Sequence, residues 1–263
     1  MKKIIKRTIA GTLLFTVVGI AGLITLIFYP QSLFANKFEH NQFVVYYDKD
    51  YNIEKEAFQS ILDNAYQLVE KSELHNPDFR FRLFLAHDNI YNKIEGLQGG
   101  DVLARATAWN IVFKQDIDIV NNRMYTERST VDLTELIVHE MVHVLQADRY
   151  GLFNFSPLKH PPIWKLEGYP EYIARRKRLS SDFYDLRKEM QRFVSANENS
   201  KRETFEAVEG HFMPTYYFKG RIMTEYLMNI KGMTYDEILK DQRTEEEVFD
   251  EMVEWMNEAG EKE

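Results

Sequence analysis

The most sustained hydrophobic pattern is an uncharged run from Ile9 to Phe28, preceded by Lys2, Lys3, Lys6 and Arg7. Twenty helical residues at ~1.5 Å each span ~30 Å, the thickness of a bilayer's hydrocarbon layer. Tyr29 and Pro30 end the run at the depth where an aromatic ring is favoured. The pattern predicts a transmembrane signal-anchor over residues 1–30, its basic tip in the cytoplasm and the remainder outside. A cleaved signal peptide, cut after Ala35, is the rival reading; its apolar stretch would normally be shorter, about 7–15 residues.

Further on, periodicity switches between two and 3.6. Phe43-Val-Val-Tyr-Tyr47 reads as a strand. Residues 51–70 read as a helix with Ile53, Ala57, Phe58, Ile61, Leu62, Ala65 and Leu68 inward. Phe79–Leu85 alternates as a half-buried strand. Asp88 is a cap for a short helix toward Ile94, and Gly96, Gly99 and Gly100 mark a loop. Residues 106–113 and 117–120 read as two more strands. From there the pattern is almost wholly helical, over about 131–150, 163–178, 182–196, 214–230 and 245–258. Strands and a helix followed by helices predict an α+β body, with one continuous core or two lobes meeting at a cleft.

Composition narrows the classes. The chain has 263 residues and no Cys, which excludes a disulfide scaffold, a thiolate zinc site and a cysteine nucleophile. The 44% apolar content supports a sizeable core. Formal charge is −8; setting aside the four N-terminal cations leaves 29 positive charges against 41 negative, or −12. That balance argues against nucleic acid as a partner. From Asp241 to Glu263 there are ten acidic residues and two basic ones, yet Val248, Phe249, Met252 and Trp255 recur at helical spacing, so this segment reads as an amphipathic helix with a solvated acidic face. Arg175-Arg-Lys-Arg178 is a tight basic run, either a site for anionic headgroups or an acidic substrate, or a solvated helix end favoured by the macrodipole.

The chemistry gathers at His139-Glu-Met-Val-His143. The helix around it is apolar nearly all round (Leu133, Leu136, Ile137, Val138, Met141, Val142, Val144, Leu145), so two imidazoles and a carboxylate are carried into a buried setting. Unpartnered, they would cost several kcal/mol. Positions i and i+4 share a helix face, which lets His139 and His143 converge on one tetrahedral zinc ion, while Glu140, about 100° round, reaches a water on the metal. A pair of core histidines bonded to backbone is the bland alternative. A three-histidine site is ruled out, because Gln146 and Arg149 occupy the positions that pattern assigns to Gly and His.

Downstream stands Trp164-Lys-Leu-Glu167-Gly-Tyr-Pro-Glu171-Tyr. HExxH on one helix followed by W-x-x-E-G-x-x-E-Y on a second resembles the gluzincin branch of zinc metallopeptidases, and the overall look, from Leu133 to roughly Tyr226, is similar to bacterial peptidase MA-like proteins, relatives of the thermolysin and aminopeptidase folds. The resemblance implies a zincin-like domain over 31–263, its sheet and active-site helix in about 40–150 and a helical subdomain in about 151–263, with the cleft between. It implies His139, His143 and Glu167 as ligands of one zinc. Two His and one carboxylate leave a position open for water, as a catalytic zinc requires. Gly168 leaves room for close helix packing, and Glu171, four on from Glu167, can orient a ligand imidazole. The chain departs from the family in the longer gap after His143, which carries Pro157, Pro161, Pro162 and His160 (a rival third ligand), and in Pro170, expected to kink the ligand helix near Leu166.

The implied reaction is hydrolysis of a peptide bond, with Glu140 as the base. Tyr216 or Tyr217 is the candidate oxyanion donor, with His211 and Arg221 as rivals; a Tyr pair opening a helix is more often core packing. In a zincin the strand near 106–113 would edge the cleft and pair with an extended peptide or protein substrate; an ordinary edge strand is the alternative. The aminopeptidase relatives' G-x-M-E-N stretch is not found, which favours an endopeptidase. The expectation is thus a membrane-anchored zinc metallopeptidase facing outward. A non-catalytic anchored module that binds peptides or partners on the same fold, and zinc hydrolysis of a non-peptide bond, are the competing readings.

Overall fold

The computed structural model describes residues 2–97, 102–125, 130–155, 159–176, 184–197, 203–208 and 211–258. The elements in chain order are α1 (Lys2–Phe28), β1 (Asn36–His40), β2 (Phe43–Tyr47), α2 (Lys55–Val69), β3 (Phe81–Leu85), α3 (Ile90–Gly96), β4 (Ala104–Thr107), β5 (Asn110–Phe113), β6 (Arg123–Tyr125), β7 (Thr130–Asp132), α4 (Leu133–Tyr150), α5 (Ile163–Ala174), α6 (Leu186–Asn197), β8 (Thr204–Val208), β9 (His211–Pro214), α7 (Thr215–Glu225), α8 (Tyr235–Lys240) and α9 (Glu245–Glu258). This is the expected α+β class, with a mixed sheet and many helices. Gly99, Gly100, Pro157, Lys177, Arg178, the start of the helix expected from 182 and the chain's last five residues lie outside the described residues.

The chain divides into two compact units. The first, residues 1–51 and 80–115, is built on a five-stranded sheet in the order β1-β2-β3-β5-β4. β2, β3 and β5 run parallel at its centre; β1 and β4 are antiparallel edges. Phe43, Val45, Phe81, Leu83, Phe84, Ile111 and Val112 are fully buried, as strands covered on both faces require. The single strand expected over 106–113 is a hairpin, with Ala108 at φ 55 in its turn. The two arms are joined at Ala108-Trp109, with no Gly or Pro to mark the turn in the sequence. The short helix α3 is capped by Asn89, whose side chain accepts from the Tyr91 N–H at 2.7 Å, and not by Asp88.

The end of α1 is tied to this unit. The hydroxyl of Tyr91 donates to the Ile27 carbonyl (2.9 Å), and the buried Asn110 amide donates to the carbonyls of Ile27 (3.3 Å) and Phe28 (3.1 Å). These are carbonyls that a helix C-terminus leaves unsatisfied. Side chains of α1 are described from Thr12 onward, and among the residues so described no helix is long and apolar enough to cross a membrane.

The second unit comprises residues 52–79 and 116–263; α4 belongs to it and not to the sheet. Residues 117–120 are no strand: Asp118 bridges Arg123 and its carboxylate accepts from the Asn121 N–H in a turn. The short hairpins β6–β7 and β8–β9 fall almost wholly in stretches left between the expected elements, where no strand was expected. α4 begins where the Asp132 side chain accepts from the Glu135 N–H and stops at Gly151, whose φ of +85 suits Gly. α8 opens on a capping box between Thr234 and Glu237. The helix expected to 230 changes to a π-turn over Tyr226–Ile230.

α5 and α7 meet through two glycines. A β-carbon on Gly168 would lie 2.4 Å from the Gly220 carbonyl oxygen and 2.5 Å from Thr224 Oγ1. The room that Gly168 was expected to leave is therefore filled by backbone, with Gly220 as its partner. Gly168→Ala should destabilise the chain by at least ~1–3 kcal/mol, the scale of overpacking. Thermal or denaturant unfolding checks this, and an unchanged midpoint would show that the helices can separate without cost.

Candidate metal centre

Helix periodicity brings the two imidazoles of α4 together. His139 Nε2 and His143 Nε2 are 3.0 Å apart. Oε2 of Glu167, from α5, is 3.3 Å from the first and 3.1 Å from the second. Among the described residues these three form the group whose donor atoms could hold one metal ion. His160 is exposed, bonded to the neighbouring Pro161 carbonyl, and is not part of that group.

The shell behind the triad decides what its inner atoms are. Nδ1 of His139 lies 3.0 Å from Glu171 Oε1, although not aligned for a hydrogen bond. Nδ1 of His143 donates to Gln146 Oε1 at 2.8 Å. The Gln146 amide cannot be turned round, since its nitrogen donates to the Leu166 carbonyl (3.1 Å) and to the Tyr235 hydroxyl (2.7 Å), which itself donates to the Lys165 carbonyl (3.0 Å). Both outer nitrogens therefore face acceptors, and Gln146 keeps the hydrogen of His143 on Nδ1. When neutral, that ring turns a lone pair inward, toward a carboxylate oxygen 3.1 Å away, and two acceptors so close favour a cation between them.

In the metal-free chain protons supply it. Burial alone would push the His139 imidazole down, but Glu167, Glu171 and Glu140 more than reverse this and hold it well above its ordinary value. His143 is likewise raised against its burial, chiefly by Glu167. Burial opposes ionisation of Glu167, yet His143 and His139 pull its carboxyl down to about 2. Zinc fits the same donors: at bonds of about 2.0–2.1 Å, tetrahedral ligand atoms stand about 3.3 Å apart. The observed 3.0, 3.1 and 3.3 Å need shifts of a few tenths of an ångström at most.

Arg175 changes role. Expected to be exposed at a helix end, it is buried, with Nε 2.9 Å from Glu171 Oε2 and NH1 3.2 Å from Glu135 Oε2. Against the pull of burial, Arg175 and then His139 keep the Glu171 carboxyl well below the usual carboxylate range. Glu171→Gln, which retains an acceptor, and Glu171→Ala should weaken metal affinity by ~10–100-fold, the Ala variant more. Competition with a chromophoric chelator measures this; unchanged affinity in both would make Glu171 a bystander.

Glu140 is 6% exposed and within electrostatic reach of both imidazoles. Of the two tyrosines, Tyr217 lies against His139, ring centroids 5.7 Å apart, whereas Tyr216 is 48% exposed and packs on Tyr217. Burial, reinforced by Glu167 and Tyr216, holds the Tyr217 phenol well above its ordinary value, so it stays a donor. Arg221 is in a separate buried cluster with Glu225 (2.9 Å), Glu189 (3.3 Å) and the Tyr184 hydroxyl (3.1 Å). The side chain of His211 lies outside the described residues. Gln146, Tyr235 and Arg175 were missed as site residues; the Q-x-x-R spacing after His143 served only to exclude a third histidine.

Comparison with known protein families, with curated proteins and with solved structures finds no match for this chain.

Proposed function

We propose that this chain is a membrane-anchored zinc metallopeptidase, with an endopeptidase favoured. The observation that carries the reading is the meeting of His139, His143 and Glu167 at 3.0–3.3 Å, with the outer nitrogen of each ring turned to an acceptor. The composition of that set, two imidazoles and one carboxylate, is that of a catalytic zinc with an open position. When bound, zinc lowers the pKa of a water and polarises the scissile carbonyl. Glu140 takes the proton of the attacking water and hands it to the leaving amine. The Tyr217 phenol, protonated throughout the working range, donates a hydrogen bond to the developing oxyanion. Glu171, clamped by Arg175, and Gln146 keep the ligand rings in one orientation.

The anchor is α1. Leu13, Leu14, Phe15 and Val18 on it are 61–82% exposed, an apolar face that lipid would cover. The adjoining basic tip argues for a cytoplasmic N-terminus and an extracytoplasmic catalytic part. The test is elemental analysis of the full chain in detergent, with cleavage of casein or a peptide library with and without a chelator. One zinc per chain and chelator-sensitive cleavage are expected; a chain that binds zinc but cleaves no peptide would favour the binding-module reading.

A further inference from the structure

Pro170 lies inside α5, where a proline removes one helical hydrogen bond. The bond it removes is the one to the carbonyl four residues back, Leu166. That oxygen accepts instead from the Gln146 amide nitrogen, at 3.1 Å, from the neighbouring helix α4. The amide is fully buried, and its oxygen accepts from Nδ1 of His143 at 2.8 Å. Its second N–H reaches the Tyr235 hydroxyl, which is bound in turn to the Lys165 carbonyl, one residue before Leu166.

From this chain of bonds we infer that Pro170 is a positioning residue for the metal site: by withholding its own N–H it leaves the Leu166 carbonyl to Gln146, and so fixes which end of that amide faces His143. This rests on the zinc-site reading and adds to it a device by which the ligand helix sets the tautomer of an imidazole on the other helix. With an N–H at position 170, Leu166 has a helical donor, and the amide loses part of what opposes its rotation. Rotated, it would turn its NH₂ toward His143 Nδ1, which then keeps its lone pair outward and its hydrogen toward the metal position. A proline in a helix interior costs stability, and here that cost has a counterpart in ligand orientation.

The experiment is a zinc-affinity cycle on the full chain in detergent, with wild type, Pro170→Ala, Gln146→Leu and the double variant titrated against a competing chelator. Pro170→Ala should raise the unfolding midpoint of the metal-free chain while weakening zinc binding by ~10-fold, and Gln146→Leu should weaken it by ~10–100-fold. In the Gln146→Leu background, Pro170→Ala should change affinity by no more than about twofold, because the route is already cut. A purely structural proline would move stability without affinity. Wild-type affinity in Pro170→Ala, or the same loss in both backgrounds, overturns the inference. If Gln146→Leu does not fold, Gln146→Met, which likewise removes the amide that joins Leu166 to His143, takes its place in the cycle, with the same expectation and the same overturning result. The control is His143→Ala. If it keeps its zinc, the metal-site reading itself fails; if it loses zinc while Pro170→Ala and Gln146→Leu bind as wild type, that reading stands and this one falls.

Discussion

His143→Ala should leave the purified chain without its ion. The variant keeps His139 Nε2 and Glu167 Oε2, two donors where a zinc site needs at least three from protein. It also strips Gln146 Oε1 of the N–H it accepts, so the buried amide that bridges α4 to α5 is left with an unsatisfied oxygen. Metal content should drop from one per chain to near none. The thermal transition should stop responding to added zinc, whereas the wild type gains about 2.7 kcal/mol at a zinc concentration 100 times the dissociation constant. A pH signature accompanies the wild type. Both imidazoles hold their protons more tightly than a free imidazole in the metal-free chain, so zinc competes with protons and affinity falls as pH drops. Stoichiometric zinc in His143→Ala would mean that the ion is held elsewhere.

The histidine pair was legible in the sequence because it is a local object: His139 and His143 are one helical turn apart, so helix geometry predicts that their rings can meet. Glu167, on another helix, was expected only from the resemblance of its W-x-x-E-G surroundings to the gluzincin pattern, and Glu171 from its place one turn further on. The shell behind them was not legible. Gln146 has its orientation set by a proline 24 positions on and by Tyr235, 89 positions away. Arg175 looked solvated because it opens a run of four cations, yet its partner Glu135 comes from forty residues earlier. The fold shows the same division. Helix α2 was readable from its apolar stripe, and α4 and α5 from the motifs they carry. β6 and β7, of three residues each, are shorter than the window over which alternation can be read, and β4 and β5 fused because nothing at Ala108 announces a turn.

Glu140→Gln separates catalysis from binding more sharply than any other change. The carboxylate is buried and interacts electrostatically with His139 and Tyr217. Gln preserves the shape and the hydrogen-bonding oxygen but cannot take a proton from water. Zinc should therefore remain bound in stoichiometric amount, since the ligands His139, His143 and Glu167 are untouched. Peptide cleavage should fall by more than ~100-fold and up to ~10⁴-fold, the range for loss of a general base. The loss should appear in kcat, with KM nearly unchanged, because Glu140 acts on the water and not on the peptide's binding contacts. A module that only binds peptides has no use for a buried base at this position, and in that case Glu140→Gln would leave peptide affinity intact with no cleavage to lose. Cleavage at the wild-type rate would remove Glu140 from the mechanism, and with it the reason for burying a third acidic group beside Glu167 and Glu171.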